Sequence, residues 1–246
     1  MPCTVSTDFT AQLPLDVGLR DTASFDSFCS GRNRELVDRL KATILDPDHC
    51  ADPGGHQGSQ IYLWGEAGCG KTHLLQALCG LASQRGHSAV YLPLDAHQHG
   101  VQWLEDVDRL SLVCIDDLQA IAGQRLWETA LFTLGDRVRE RAGSWVVAGD
   151  VSPKGLSLTM PELESRLARG LIYRVLGLND EDRSQAVRLR AQQRGLELSD
   201  EVIRYVLSRY PRDTVALFEL LDRLDRASLA SGRRVTIPFL RELDGG

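Results

Sequence analysis

The sequence predicts an α/β fold in which a parallel five-stranded sheet carries a phosphate-binding loop and is followed by a small all-helical domain. Three observations support this. Residues 60–72 read Gln-Ile-Tyr-Leu-Trp-Gly-Glu-Ala-Gly-Cys-Gly-Lys-Thr, an apolar strand-like run that leads into the pattern G-x-x-x-x-G-K-[ST]. Short apolar runs then alternate with segments of helical period as far as residue 178, the signature of a parallel sheet covered on both faces. From Asn179 onward the strand signal stops and only helical patterns and caps remain. The expected division is therefore an arm at 1–24, a nucleotide-binding α/β domain at 25–178 and a helical lid at 179–246.

The elements follow in order. Residues 1–24 are polar and aperiodic, apart from Gln12-Leu13-Pro14-Leu15-Asp16-Val17. That stretch fits an extended segment inserting into a hydrophobic pocket, with Pro14 keeping it near polyproline II, and equally a tail packing on its own domain. Phe25 and Phe28 precede a helix over 34–45, where Leu36, Val37, Leu40 and Ile44 recur at helical spacing. A loop rich in Asp, Pro, Gly and His fills 46–58 before the first strand, 61–64. The phosphate-loop helix ends near Gly86, and 89–94 reads as a second strand. A short helix is expected over 101–110, then a third strand at 112–117, a long amphipathic helix at 125–141 and a fourth strand at 145–150. Pro161 opens a helix over 162–169, and 171–175 is the last strand. Asn179 can cap a helix over 180–194, with acids in its first turn; further helices follow Ser199, fill about 214–229 and start near Ile237.

The chemistry concentrates at strand ends. Gly65, Gly68 and Gly70 allow successive N–H groups to converge on phosphates, and the following helix N-terminus adds partial positive charge. Lys71 would reach the β- and γ-phosphates, and Thr72 would offer its hydroxyl to Mg²⁺. Lys71 is one of only three lysines, with Lys41 and Lys154, in a chain that otherwise uses Arg, which sharpens its assignment. Asp116 and Asp117 close an apolar strand, so Asp116 is read as a Mg²⁺ ligand, directly or through water, and Asp117 as the residue that orients or deprotonates attacking water. Asp150 ends the fourth strand, a place from which γ-phosphate or water can be sensed, although a bare acid in a turn would look the same.

Composition restricts the alternatives. A net charge of −6 argues against a strongly basic nucleic-acid-binding domain. No apolar run approaches a membrane span, and the N-terminus lacks an export signal, so a cytoplasmic location is expected. Six cysteines occur without a C-x-x-C pair and six histidines are scattered, a pattern of free thiols and loop residues with His97 and His99 as a weak metal hint.

The order of phosphate loop, Asp-Asp strand, polar strand end, arginine helix and helical lid resembles the AAA+ ATPases over residues 25–246. Within them the chain is similar to the family of the replication initiator DnaA and its short Hda-type paralogues. The strings at 61–64 (Ile-Tyr-Leu-Trp), 110–116 (Leu-Ser-Leu-Val-Cys-Ile-Asp), 224–228 (Leu-Asp-Arg-Ala-Ser) and 236–239 (Thr-Ile-Pro-Phe) carry that resemblance. It implies bound ADP or ATP with Mg²⁺, and it assigns Gln12, Leu13 and Leu15 to an arm that docks on the DNA polymerase III β sliding clamp. It also places Phe25, Phe28 and Gly31 beside the adenine pocket. Arg166 aligns with an arginine finger that acts in trans and is expected to be aimed outward; from the residues alone it could equally be a helix-end Arg. Val215 stands where the lid arginine that senses nucleotide is usual, with Arg212 about one turn earlier; either Arg212 substitutes or the lid does not read the γ-phosphate. The chain ends after the lid, where DnaA continues into a helix-turn-helix domain, so sequence-specific DNA binding is not expected.

The resemblance thus implies a negative regulator of replication initiation that stimulates hydrolysis of DnaA-bound ATP. The alternative is an autonomous ATPase motor or helicase-loader-type protein, and the oligomeric state stays open.

Overall fold

A computed structural model describes residues 23–46, 58–95, 100–209 and 214–244. Five strands, β1 (Gln60–Trp64), β2 (Ala89–Pro93), β3 (Leu112–Asp116), β4 (Ser144–Gly149) and β5 (Leu171–Arg174), form one sheet in the order β2-β3-β4-β1-β5. All four pairings are parallel; Ile61 pairs with Val146 on one side and Leu171 on the other, and Val113 pairs with Trp145. Eight helices accompany them among the described residues: α1 (Arg34–Leu45), α2 (Lys71–Gln84), α3 (Arg125–Glu140), α4 (Pro161–Leu167), α5 (Asp180–Gln193), α6 (Asp200–Arg209), α7 (Thr214–Ser231) and α8 (Ile237–Asp244).

The strand pleat sorts the core into two layers. Ile61, Leu63, Cys114, Val146 and Ala148 face α1 and α2, packing on Leu36, Leu40, Leu74, Leu75 and Leu78. Their chain neighbours Tyr62, Val113, Ile115, Trp145 and Val147 face the opposite way, onto Leu131, Leu134 and Val138 of α3 and Leu163 and Leu167 of α4. Both faces are covered over β1–β4, which is why those strands read as continuous apolar runs, while the edge strand β5 exposes Ile172 and Arg174. A third cluster, including Val187, Ile203, Leu217, Leu220, Leu221 and Phe239, holds α5–α8 together as a helical lid. The Asn179 side chain accepts a hydrogen bond from the Asp182 N–H at 2.7 Å, the cap expected for α5.

The expected helix over 101–110 is not formed as one element. The chain makes two 3₁₀ turns, Val101–Leu104 and Val107–Arg109, because Asp106 between them has φ +63°, a left-handed conformation that no helix can continue through. Among the described residues no helix is long and apolar enough to cross a membrane.

Candidate functional site

The phosphate loop leaves β1 and ends at Gly70, which has φ +105°. Only glycine suits this position, since a Cβ would also lie 2.7 Å from the Phe28 ring. Gly70 is the N-cap of α2 and supplies no side-chain cap, so the N–H groups of the first turn converge with the helix dipole and are not satisfied by a capping oxygen. Lys71 is buried and its Nζ donates to the carbonyls of Gly65 at 2.6 Å and Glu66 at 3.1 Å, whereas Thr72 is exposed. This is a cradle for an anion of phosphate size.

The segment before α1 seats on the same helix. His73 Nε2 lies 2.9 Å from the Ser24 carbonyl and 3.1 Å from Ser27 Oγ, and its ring meets Phe28 with centroids 5.6 Å apart. Phe25, expected beside the adenine, is buried in the α1–α2 layer. The segment also grips the chain leading into the lid. The Asn33 amide donates to the Leu176 carbonyl and accepts from the Leu176 N–H, both at 2.8 Å, and Arg32 Nη2 donates to the Gly177 carbonyl at 2.8 Å. Asn33 had no signal in the sequence, because its partner is 143 residues away.

Asp116 is fully buried at the end of β3. The Tyr91 hydroxyl donates to its Oδ2 at 2.9 Å and the Asp117 N–H to its Oδ1 at 3.0 Å. Burial and then the Asp116 charge push the Tyr91 hydroxyl far above the ordinary tyrosine range, so it remains a donor. Asp117 has φ +55°, and its carboxylate accepts from Gln119 Nε2 at 2.8 Å. The same Gln119 side chain accepts the Asp150 N–H at 3.2 Å, tying the ends of β3 and β4 together. Burial, followed by the charge of Asp116, raises the Asp117 carboxyl above its ordinary value, the direction a proton acceptor needs. Asp150 itself is exposed at the carboxyl end of β4. The sequence therefore located these acids, while Tyr91 and Gln119, which hold two of them, were missed. Neither belongs to a spacing motif, and both act through a contact between strands or loops.

These residues fit a nucleotide phosphate and Mg²⁺ unequally. The cradle and Lys71 match the phosphates, and the exposed Thr72 hydroxyl could meet the metal directly. Asp116 is closed from solvent and each of its oxygens already takes a donor, so it suits a metal-bound water better than the ion.

Arg166 departs from expectation. It was expected to be aimed outward, but only 7% of its surface is exposed. Its Nη1 contacts the carboxylate of Asp136 on α3, and its guanidinium carbon lies 5.0 Å from the centre of the Phe132 ring. The Gln60 side chain donates to its carbonyl. Its helix is anchored at the other end by Glu128, a fully buried carboxylate that accepts from the Thr159 N–H (3.0 Å), Thr159 Oγ1 (2.7 Å) and the Gly123 N–H (2.8 Å). Arg125 Nη1 adds a bond to the Thr159 carbonyl at 3.2 Å. Gln12, Leu13, Leu15 and Arg212 lie outside the described residues, and Val215 falls within α7.

A parallel sheet in the order β2-β3-β4-β1-β5, a glycine-rich loop before α2, paired acids on β3 and a helical lid define an AAA+ protein. A model of the bacterial DnaA ATPase domain matches residues 19–174, and one of the Hda lid domain matches residues 180–243. The chain belongs to the bacterial DnaA ATPase-domain family and is an Hda-type member of it. Its fold is similar to domain III of the Thermotoga maritima replication initiation protein DnaA, at 21% identity and a TM-score of 0.73 over 91% of this chain and 95% of that one. AMPPCP-bound DnaA from Aquifex aeolicus is similar at 23% identity and a TM-score of 0.68, over 85% of this chain and 67% of that one. The Thermotoga maritima RuvB branch-migration motor shares the fold at 16% identity and a TM-score of 0.64, over 89% and 70%.

Proposed function

We propose that this DnaA-related replication regulator binds ADP or ATP at its own phosphate loop and applies Arg166 to a nucleotide held by DnaA. The placement of Arg166 carries the reading. It packs in the α3–α4 layer, whereas the chain's own phosphate-loop helix α2 packs on the opposite face of the sheet. An arginine so placed serves a neighbouring subunit's nucleotide better than its own. There it would neutralise charge developing on the transferred phosphoryl group, a role worth about 10³–10⁵ in rate.

Lys71, Thr72 and Asp116, with Gly65, Gly68 and Gly70, would hold this chain's nucleotide and Mg²⁺. That nucleotide would set the geometry between sheet and lid more than it would be consumed. Gln12, Leu13 and Leu15 would dock the protein on the DNA-loaded sliding clamp. The AMPPCP-bound DnaA structures support an adenine nucleotide.

The test is hydrolysis of DnaA-bound ATP with clamp loaded on DNA. Wild-type protein should accelerate it, and Arg166→Ala should return it to the unstimulated rate; unchanged stimulation by that variant would refute the assignment. Replacing Leu13 and Leu15 by Ala should abolish clamp retention in a pull-down.

One observation favours a second reading, an autonomous ATPase. Gln119 holds Asp117 and the Asp150 backbone as a preorganised pair beside the phosphate loop. Steady-state turnover by the protein alone, without clamp or DnaA, separates the two: brisk turnover supports the motor.

A further inference from the structure

Arg166 reaches no partner from the position it occupies. Its guanidinium is buried, paired with one carboxylate and lying against one aromatic ring, and its Nε has no hydrogen-bond partner. The backbone around it is fixed. Pro161 starts α4, Glu128 and Arg125 hold Thr159 just before it, and Gln60 holds the Arg166 carbonyl. With α4 held in this way, the motion that exposes the guanidinium with least rearrangement is one of the side chain.

There is space for it. A cavity of about 330 Å³ opens beside the guanidinium, lined by Phe132, Pro161, Glu162, Ser165, Arg166 and Arg169. The side chain of Asp136 is 37% exposed, so the ion pair stands close to solvent rather than deep in the core. An anion arriving from solvent can compete with Asp136 there without opening the fold.

We infer that Asp136 and Phe132 are positioning residues that keep Arg166 withdrawn, and that Arg166 acts only after exchanging Asp136 for a phosphate oxygen of a partner's nucleotide. This rests on the reading of Arg166 as a residue that acts in trans. The chemistry of the exchange is matched. A guanidinium presents a planar fork of donors that suits a phosphate at least as well as a carboxylate, and the Nε left without a bond gives a phosphate a second contact that Asp136 does not use. Phe132 holds the cation by its ring face, an attraction without a directional bond, so the guanidinium can slide off it at small cost. The arrangement makes the finger specific. A free Arg at the surface would meet any anion, whereas one held by a carboxylate leaves only for a site of stronger negative potential.

The inference is tested on the intact protein without DnaA, by phenylglyoxal modification of arginines followed by peptide mass spectrometry. The exposed Arg169, three residues away in the turn that follows α4, is the internal reference. In the wild type Arg166 should react about tenfold or more slowly than Arg169, as expected for a buried, ion-paired guanidinium. Asp136→Asn should raise the Arg166 rate about tenfold while leaving Arg169 unchanged, and Phe132→Leu should raise it less. In the clamp-dependent assay, Asp136→Asn should stimulate hydrolysis of DnaA-bound ATP at lower protein concentration than wild type. A residue that served only packing would weaken stimulation instead.

Equal rates at Arg166 and Arg169 in the wild type would overturn the inference with no variant needed. So would an unchanged Arg166 rate in a folded Asp136→Asn protein, with folding checked by circular dichroism. Failure of Arg166→Ala to reduce stimulation would remove the trans reading while leaving the modification rates as they are, so the two failures are distinguishable.

Discussion

Glu128 is the carboxylate on which the finger helix stands, and Glu128→Gln is the perturbation that tests how much it contributes. The side chain is fully buried and faces four donors: the N–H groups of Gly123, Thr159 and Met160 and the Thr159 hydroxyl. Burial alone would raise its carboxyl, but the bonds from the Thr159 hydroxyl and the three N–H groups outweigh it and hold the group below its ordinary value of 4.5. A folded-state value below the unfolded one means the stabilisation is fully present above about pH 4.5 and is lost as pH falls through the folded value. Bonds to a charged acceptor contribute about 1.5–3 kcal/mol each against about 1 for neutral ones, while replacing the carboxylate also removes its desolvation cost. The amide keeps one acceptor oxygen and turns a donor toward Thr159, so the net loss near neutrality should be about 1–3 kcal/mol. In a domain of this size that is about 2–4 °C in Tm per kcal/mol. Urea midpoints for wild type and Glu128→Gln, measured from neutral pH to about pH 3.5, should differ most at neutrality and converge in acid. A gap that stays constant with pH, or one under about 0.5 kcal/mol throughout, would refute the account of this carboxylate.

Two further outcomes follow from the same geometry. Lys71→Ala should remove a cation from the centre of the cradle and weaken binding of a fluorescent ADP analogue by about tenfold or more, read by anisotropy, with little change in Tm because Lys71 bonds only atoms of its own loop, the Gly65 and Glu66 carbonyls and the Cys69 sulfur. Asn33→Ala should leave the Leu176 N–H and carbonyl without their side-chain partner and cost about 1–3 kcal/mol, with hydrogen exchange at the Leu176 amide accelerating while that of β1 stays slow.

The parts that were legible in the sequence are local ones. The strand pleat and helix period specify the two core layers, and the phosphate loop is a contiguous string whose glycines and lysine are needed in that order. Segments 34–45 and 180–194 declared themselves by periodicity and caps, and α1 and α5 occupy them. The expected helix at 101–110 failed where a single left-handed residue, Asp106, interrupts it, and aspartate carries no unique signal for that conformation. Tyr91, Gln119, Asn33, Glu128 and Asp136 were silent for a common reason. Each does its work across the sheet or between loops, against a partner chosen by the fold and not by spacing. The orientation of Arg166 was illegible for the same cause, since its partners Phe132 and Asp136 lie on α3, a different helix.

That silent group gives α3 a place the sequence did not show. The helix begins just after the loop in which Gln119 ties Asp117 to Asp150, and its first turns contribute Arg125 and Glu128, which set the start of α4. About one and two turns beyond Glu128, Phe132 and Asp136 receive Arg166. The Glu128 carboxylate is itself bonded to Gly123, in the connection between the Asp117 loop and α3. The acids beside this chain's phosphate loop and the arginine proposed to serve a partner's nucleotide are therefore joined by one helix and a short series of polar bonds. Packed elements of this kind shift as units and do not deform gradually. The Gly123–Glu128–Thr159 bonds link the Asp117 loop to the start of α4 and hold both in one arrangement.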